Sequence, residues 1–481
     1  MRTLEHLLKA LNLGGENTHV EIDAVVFDSR LAIGRTLFVA ISGQNKDGHD
    51  FLQTARDQGC LYAVVQQECT CPQGMTLFPV KNTREALATL ACAWYDNPSR
   101  ALKLVGVTGT NGKTTTTTLL YDLFCALGYS CGLLSTVVNK IKDRDVVSTH
   151  TTPDPFAINA LLYDMVQEGC THCFMEVSSH AVHQNRIFGL AFTGGVFTNI
   201  THDHLDYHKT FSEYIAAKKG FFDALNSEAF ALLNIDDKNG PIMGQNTAAK
   251  RFSYALNAVS DYKGLLIENS LDGLVMKINQ TELYSKLIGK FNAYNLLAVF
   301  GVGDLLGIEK IELLRSMSSL GSVSGRFQFF KSNLGVTVVV DYAHTPDALE
   351  NVLKTIAHFS NGGKVITLVG CGGDRDKSKR PLMARIAQNY SSQVILTSDN
   401  PRTENPSDIL QEMIEGLDPK SQVAAIAIED RRYAILTSSL LSKSGDIVLI
   451  AGKGHENYQE IKGIKHPFDD FQVAQEIFNQ N

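Results

Sequence analysis

No stretch of the chain reaches the length of about 18 apolar residues that a membrane-spanning helix needs, so no membrane span is expected. Excess positive charge is missing too. Lys and Arg number 44 against 51 Asp and Glu, a net charge of −7, which gives no electrostatic case for nucleic acid. A disulfide framework is absent: the cysteines number nine and are scattered, as suits free thiols in a reducing compartment. Cys69 and Cys71 form a CxC and Cys170 and Cys173 a CxxC, but no second pair stands at zinc-site spacing. Internal repeats, low-complexity tracts and long charge runs are also lacking. The opening MRTLEHLLKALNLGG puts Leu4, Leu7, Leu8 and Leu11 on one helical face, and Glu5, His6 and Lys9 interrupt any signal-peptide core. A cytoplasmic location is the expectation.

What is present is organised around LVGVTGTNGKTTTTT, Leu104 to Thr118. An apolar run of strand character empties into a Gly-containing turn. Lys113 and Thr114 then open a segment whose Leu119, Leu120, Leu123, Phe124 and Leu127 recur at helical spacing, with Gly128 as its stop. Strand, loop and helix in that order aim backbone N–H groups and the positive helix end at one point, a seat for phosphate oxygens. Lys113 would serve the outer phosphates and the Thr114 hydroxyl a magnesium ion. The strict Walker spacing asks for Gly at 107, where Val107 stands, so the loop is a variant with Gly109 instead.

At 481 residues about three domains are expected. Residues 1–98 read as a small α/β unit, with strands near Ala24 to Phe27 and Leu37 to Ile41. Residues 99–325 alternate strand and helix, predicting a largely parallel, P-loop ATPase-like sheet covered on both faces. Its candidate strands at 102–107, 132–136, 173–177 and 195–200 end in TGTNGKT, STHTTPD, EVSSH and TNITHDHLDYH, four polar clusters that should share one sheet edge. Residues 326–481 alternate again, and a Rossmann-like domain is predicted with DYAHTPDALENVL, GCGGDRDKSKRP, DNPRTENP and GKGHE at its strand ends.

Glu176 and His204 are metal-ligand types at neighbouring strand ends, suited to a magnesium ion beside a terminal phosphate. FSEYIAAKKGFFDAL, 211–225, is an amphipathic helix that sets Lys218 and Lys219 among apolar residues. A desolvated lysine amine can take up carbon dioxide as a carbamate, although from the residues alone an ordinary helix-face salt bridge is the favoured reading of the pair.

TGTNGKTT, MEVSSH, DHLDYH, GKFNAYN, DYAHTPDALENVL, GCGGDRDKSKRPLM, DNPRTENP and AGKGHE together resemble the Mur ligase family along the whole chain. The resemblance is to its tripeptide-forming branch, and it implies an α/β protein of three domains binding UDP-sugar, ATP and amino acid. It implies an ATP-dependent ligase that phosphorylates the carboxylate of UDP-N-acetylmuramoyl-L-alanyl-D-glutamate and joins meso-2,6-diaminopimelate through an acyl phosphate. By matching motif, Thr108, Gly109, Thr110, Asn111, Gly112, Lys113 and Thr114 would bind ATP phosphates and Asn295 would approach adenine. Arg326, Asp341 and His344 would close over the nucleotide. Phe27, Ser29, Gln44, Asn45 and Lys46 would hold the UDP part; Thr151, Thr152, Ser178, Gln184 and Arg186 the muramoyl peptide. Lys218, and not Lys219, aligns with the family's carbamylated lysine, joining Thr114, Glu176 and His204 around Mg2+. Arg375, Asp399, Asn400, Pro401, Arg402, Gly452 and Glu456 would form the amino-acid pocket. The chain is expected to act as a monomer.

Arg402 is the discriminating residue of that set. Diaminopimelate carries one carboxylate more than lysine, and a guanidinium grips a carboxylate through two parallel hydrogen bonds. The rival readings are a lysine-adding relative, a folylpolyglutamate synthetase-like ligase and a nucleotide-binding module without catalysis. Two departures stand out: His202 sits where the family often has arginine, adding a second candidate imidazole beside His204, and the junction SVSGRFQ lacks the usual proline and acidic residue.

Overall fold

The computed structural model describes residues 1–14, 18–43, 46–67, 69–148, 150–360, 362–421 and 423–480. Among the described residues three larger sheets carry the chain, beside two antiparallel two-stranded ribbons, Arg2–Thr3 with Glu21–Ile22 and Tyr458–Ile461 with Ile464–Pro467. The first holds four parallel strands, Ala24–Val26, Thr36–Val39, Tyr62–Val65 and Thr76–Pro79, in sequence order. Leu4, Leu7 and Leu8 of helix Leu4–Ala10 pack on one face with Leu87 and Leu90 of helix Thr83–Trp94, so the apolar stripe at the start of the chain is core.

The second sheet has eleven strands and is parallel through its middle. Lys103–Thr108 lies between His172–Glu176 and Gly194–Phe197. Cys131–Leu134 continues the parallel order on one side, and Phe230–Asn234, Lys250–Ala255 and Tyr262–Ser270 on the other. Its two margins are antiparallel: Asn139–Ile141 and Arg144–Val146 at one, Gly273–Ile278 and Thr281–Ser285 at the other. Strand–helix alternation does not predict these margins, because they are short hairpins joined without a crossover helix. The central strands are apolar on both faces, and each face has its own core. Helix Lys113–Ala126 lays Leu119, Leu120, Leu123 and Phe124 on one of them and stops at Gly128, whose φ of +87° lets the chain turn away.

The third sheet has six strands. Gln328–Lys331 is its antiparallel edge; Thr337–Asp341, Ile447–Ala451, Val365–Val369, Gln393–Leu396 and Ala424–Ala427 follow in parallel. Because those strands run the same way, the loops after Asp341, Val369, Leu396 and Ala451 open at one edge. That edge faces the phosphate-loop edge of the second sheet across a cleft of about 1190 Å³.

Candidate active site

The phosphate loop is stapled to the end of the neighbouring strand. Thr110 N–H donates to the Asn199 carbonyl at 2.8 Å, Asn111 N–H to Asn199 Oδ1 at 2.9 Å, and the Thr198 hydroxyl to the Asn111 carbonyl at 2.6 Å. A Cβ on Gly109 would run into the Thr198 hydroxyl, which is why glycine serves here although the strict spacing would place it at Val107. Lys113 curls back so that Nζ donates to the carbonyls of Gly109 and Thr110, both at 2.8 Å. Third-sheet residues already touch this loop: Arg326 Nη2 donates to Thr114 Oγ1 at 2.9 Å, and Asn111 Nδ2 donates to Asp347 Oδ2 at 2.9 Å.

Lys218 is buried to 1% exposure, and its Nζ donates to the Gly109 carbonyl at 2.7 Å while lying 4.7 Å from the Tyr214 ring centre. Burial, then the like charge of Lys113, hold its pKa well below the ordinary lysine value. Lys219 is the solvent-side partner, paired with Asp223 at 2.7 Å one turn on. Glu176 is fully buried and accepts from Thr136 through its N–H at 2.7 Å and its hydroxyl at 3.2 Å. His204 stands at φ +54° beside Asp203, with Nε2 at 3.3 Å from Oδ2, and burial lowers its pKa to about 4. Burial alone would raise Asp203; His204, His344, Lys379 and Lys113 outweigh it and bring the carboxyl to about 2.

These groups fit a magnesium ion of the kind that takes one or two protein oxygens and the rest from phosphate. Among the described residues no three His, Cys, Asp or Glu converge as a self-sufficient cage. Of the two imidazoles, His204 lines the cleft, whereas His202 is not part of the lining and stands 3.6 Å from the cleft residue Asp376.

At the far end of the cleft, Arg402 sits at φ +52° with Nη1 donating to the Gly373 carbonyl at 2.7 Å and Nε 3.8 Å from Glu460. Asn400 Nδ2 donates to Glu456 Oε2 at 2.6 Å. Asp399 Oδ1 is buried without a hydrogen-bond partner. Burial, together with the neighbouring Asp399 charge, raises the Glu456 pKa. Beneath this pocket Arg431 forms a fully buried pair with Asp470 at 2.7 Å and donates to the carbonyls of Ser398 and Ala451, tying together the two strand ends that deliver Asp399 and Gly452.

Residues 107–303 match the Mur ligase middle domain and residues 325–454 the Mur ligase glutamate ligase domain. The UDP-N-acetylmuramoyl-L-alanyl-D-glutamate–2,6-diaminopimelate ligase of Cytophaga hutchinsonii is 51% identical over 481 residues, covering 100% of this chain and 99% of its own. This chain belongs to the Mur ligase family. The enzyme of the same name from Bacteroides thetaiotaomicron is 50% identical over 99% of this chain and 100% of its own. A solved structure carrying that name superposes with a TM-score of 0.69 at 31% identity, covering 99% of each chain.

Read on a Mur ligase, the cleft brings together Thr110, Asn111, Gly112, Lys113, Thr114, Asn295, Arg326, Asp341 and His344 of the expected nucleotide set. It adds Thr151, Thr152, Ser178 and Arg186, then Arg375, Asp399, Asn400, Arg402, Gly452 and Glu456. Thr108, Gly109, Gln184 and Pro401 stand behind the lining; Gln184 accepts from Arg186 at 2.7 Å and so aims that guanidinium. Phe27, Ser29 and Lys46 lie apart from the cleft at the edge of the first sheet, where Phe27 exposes 45% of its surface. Gln44 and Asn45 lie outside the described residues. Sequence reasoning passed over Thr136, Asp203, Asp347, Lys453 and Arg431. Asp203, Asp347 and Lys453 sat inside quoted motifs, but nothing in a linear string shows that Asp347 crosses to Asn111 or that Arg431 underlies Asp399.

Proposed function

We propose that this Mur ligase adds meso-2,6-diaminopimelate to UDP-N-acetylmuramoyl-L-alanyl-D-glutamate at the expense of ATP, a step of peptidoglycan precursor synthesis in the cytoplasm. One observation carries the reading: Lys113 at the phosphate loop, Lys218 behind it and Arg402 in the third-sheet pocket serve a single cleft. Residues 1–98 would hold the UDP-sugar, 99–325 ATP and 326–481 the amino acid. Facing sheet edges allow a phosphorylated carboxylate and an incoming amine to meet out of water, so positioning and charge neutralisation do the chemistry.

Thr108 to Thr114 receive the triphosphate, with Lys113 released from the Gly109 and Thr110 carbonyls onto phosphate oxygens. Magnesium, held by Thr114, Glu176 and His204, would neutralise charge developing on the transferred phosphoryl group. The neutral Lys218 amine would attack carbon dioxide, an N–C bond forming as one C=O π pair moves onto oxygen and one proton passes to solvent, and the resulting carbamate would supply a further anionic oxygen. Thr151, Thr152, Ser178 and Arg186 hold the peptide carboxylate for attack on the γ-phosphorus. ADP leaves, the diaminopimelate amine attacks the acyl carbon, and phosphate departs from the tetrahedral intermediate.

Arg402 favours diaminopimelate over lysine, because a lysine side chain leaves the guanidinium with only the Gly373 carbonyl and a Glu460 carboxylate 3.8 Å away, short of the two parallel bonds that a substrate carboxylate accepts. Phosphate release from ATP and the UDP-linked dipeptide should require diaminopimelate and proceed poorly with lysine. Release driven by lysine and not by diaminopimelate would overturn the substrate assignment.

A further inference from the structure

Lys453 is buried to 0% exposure directly behind the amino-acid pocket. Its Nζ donates to Glu456 Oε2 at 3.2 Å, to Asn400 Oδ1 at 3.3 Å and to the Tyr458 carbonyl, using the three donors an ammonium has. Because lysine can only donate, the Asn400 amide oxygen must face it, which turns Nδ2 onto Glu456 and leaves no freedom to flip. The backbone N–H of Glu460 fixes the same oxygen at 2.8 Å. The ammonium also lies 4.0 Å from Asp399 Oδ1, the buried carboxylate oxygen that no donor satisfies.

Two carboxylates this close in a desolvated site would share a proton unless a cation stood by them. Lys453 is that cation, and it is placed on the side away from the cleft. On the cleft side this leaves an Asp399 oxygen with no hydrogen-bond donor, and Arg402 alongside with its Nε 3.8 Å from Glu460.

Building on the diaminopimelate reading, we infer that Lys453 is a specificity-positioning residue. It fixes Asn400 and Glu456 and tunes the pocket to one ammonium, which Asp399 and Glu456 receive while Arg402 takes the carboxylate on the same carbon. An amino acid presenting a zwitterionic head fits this arrangement; a bare amine or a bare acid leaves one of the charges unmet.

The test uses the full chain with ATP, magnesium and the UDP-linked dipeptide, following phosphate release as diaminopimelate is varied. Lys453→Met should raise the KM for diaminopimelate by about tenfold or more, leaving kcat and the KM for ATP within about threefold. Lys453→Gln keeps donors toward Asn400 and Glu456 without the charge and should raise KM by an intermediate factor; it carries the measurement if the Met variant does not fold. Unchanged diaminopimelate KM, or an equal rise in the KM for ATP, overturns the inference. Wild-type turnover with diaminopimelate tests the underlying substrate reading separately, since only the variant-to-wild-type ratio bears on Lys453.

Discussion

At one end of the cleft Thr108 to Thr114 are consecutive residues, and the groups they offer are aimed by a strand, a turn and a helix start. At the other end Arg375, Asp399, Arg402 and Glu456 come from three separate loops, and buried charges hold them: Lys453 beneath Glu456, Arg431 on Asp470, and Arg380 paired with Glu404 at 2.8 Å and Glu412 at 2.7 Å. The phosphate end draws its precision from backbone geometry, and burial lowers the pKa of both Lys218 and His204 there, the like charge of Lys113 adding to the effect at Lys218. The amino-acid end draws its precision from compensated charge. A desolvated base suits chemistry on anions, because it stays neutral until it reacts; a compensated pocket suits recognition, because breaking one partner of a buried pair strands the other.

The largest expected effect sits at the phosphate end. Lys218→Ala should lower turnover on the order of a hundredfold or more, as removal of a group stabilising transition-state charge does, with partial recovery on adding a short carboxylate such as formate. Full activity of the unrescued variant would remove the carbamate from the account and make this end a matter of backbone alone.

Next comes the pocket. Arg402→Ala should raise the KM for diaminopimelate by about thirtyfold, the scale of a truncated buried charge contact, with ATP binding within about twofold. Titration of nucleotide by calorimetry separates the two. Equal losses for both ligands would mean that the two ends are not independent.

The smallest effect is on stability. His204, His208 and His344 cluster toward the phosphate end with pKa values lowered by burial from 6.5 to about 4. Between those values the unfolded chain binds more protons than the folded one, so their contribution is full above about pH 6.5 and drains away as pH falls through 4. Asp341, raised to about 6 by burial, works the other way over the range down to its ordinary 3.8. Burial lowers His172, His180 and His455 in the same way, and six imidazoles against the raised carboxyls of Asp122, Asp341, Asp347 and Glu456 predict a urea midpoint lower at pH 5 than at pH 7.5. A flat profile would show the imidazoles to be solvated in solution.

Much of the cleft was legible in advance for a specific reason. Wherever function rests on consecutive residues, spacing carries it: the TGTNGKT loop, the helix ending at Gly128, and strands such as Val365–Val369 and Ile447–Ala451 fall where periodicity puts them. Lys218 and Lys219 mark the limit. Adjacent on one helix, they could not be told apart by periodicity, and it took the family resemblance to single out the first. Its burial against Gly109 and the pairing of the second with Asp223 follow from where the neighbouring strand and helix lie.

The sequence alone determined the phosphate loop and its helix, the central parallel strands and the chemical types available at their ends, since those depend on contacts within a few residues; the antiparallel margins of the second sheet it did not. Tertiary structure alone decided which of those side chains face one another: His202 onto Asp376, Asp347 across to Asn111, Lys453 onto Asn400. Such pairings join residues dozens to hundreds of positions apart, and desolvation, which sets whether a lysine or histidine is charged, exists only once the chain has packed around it.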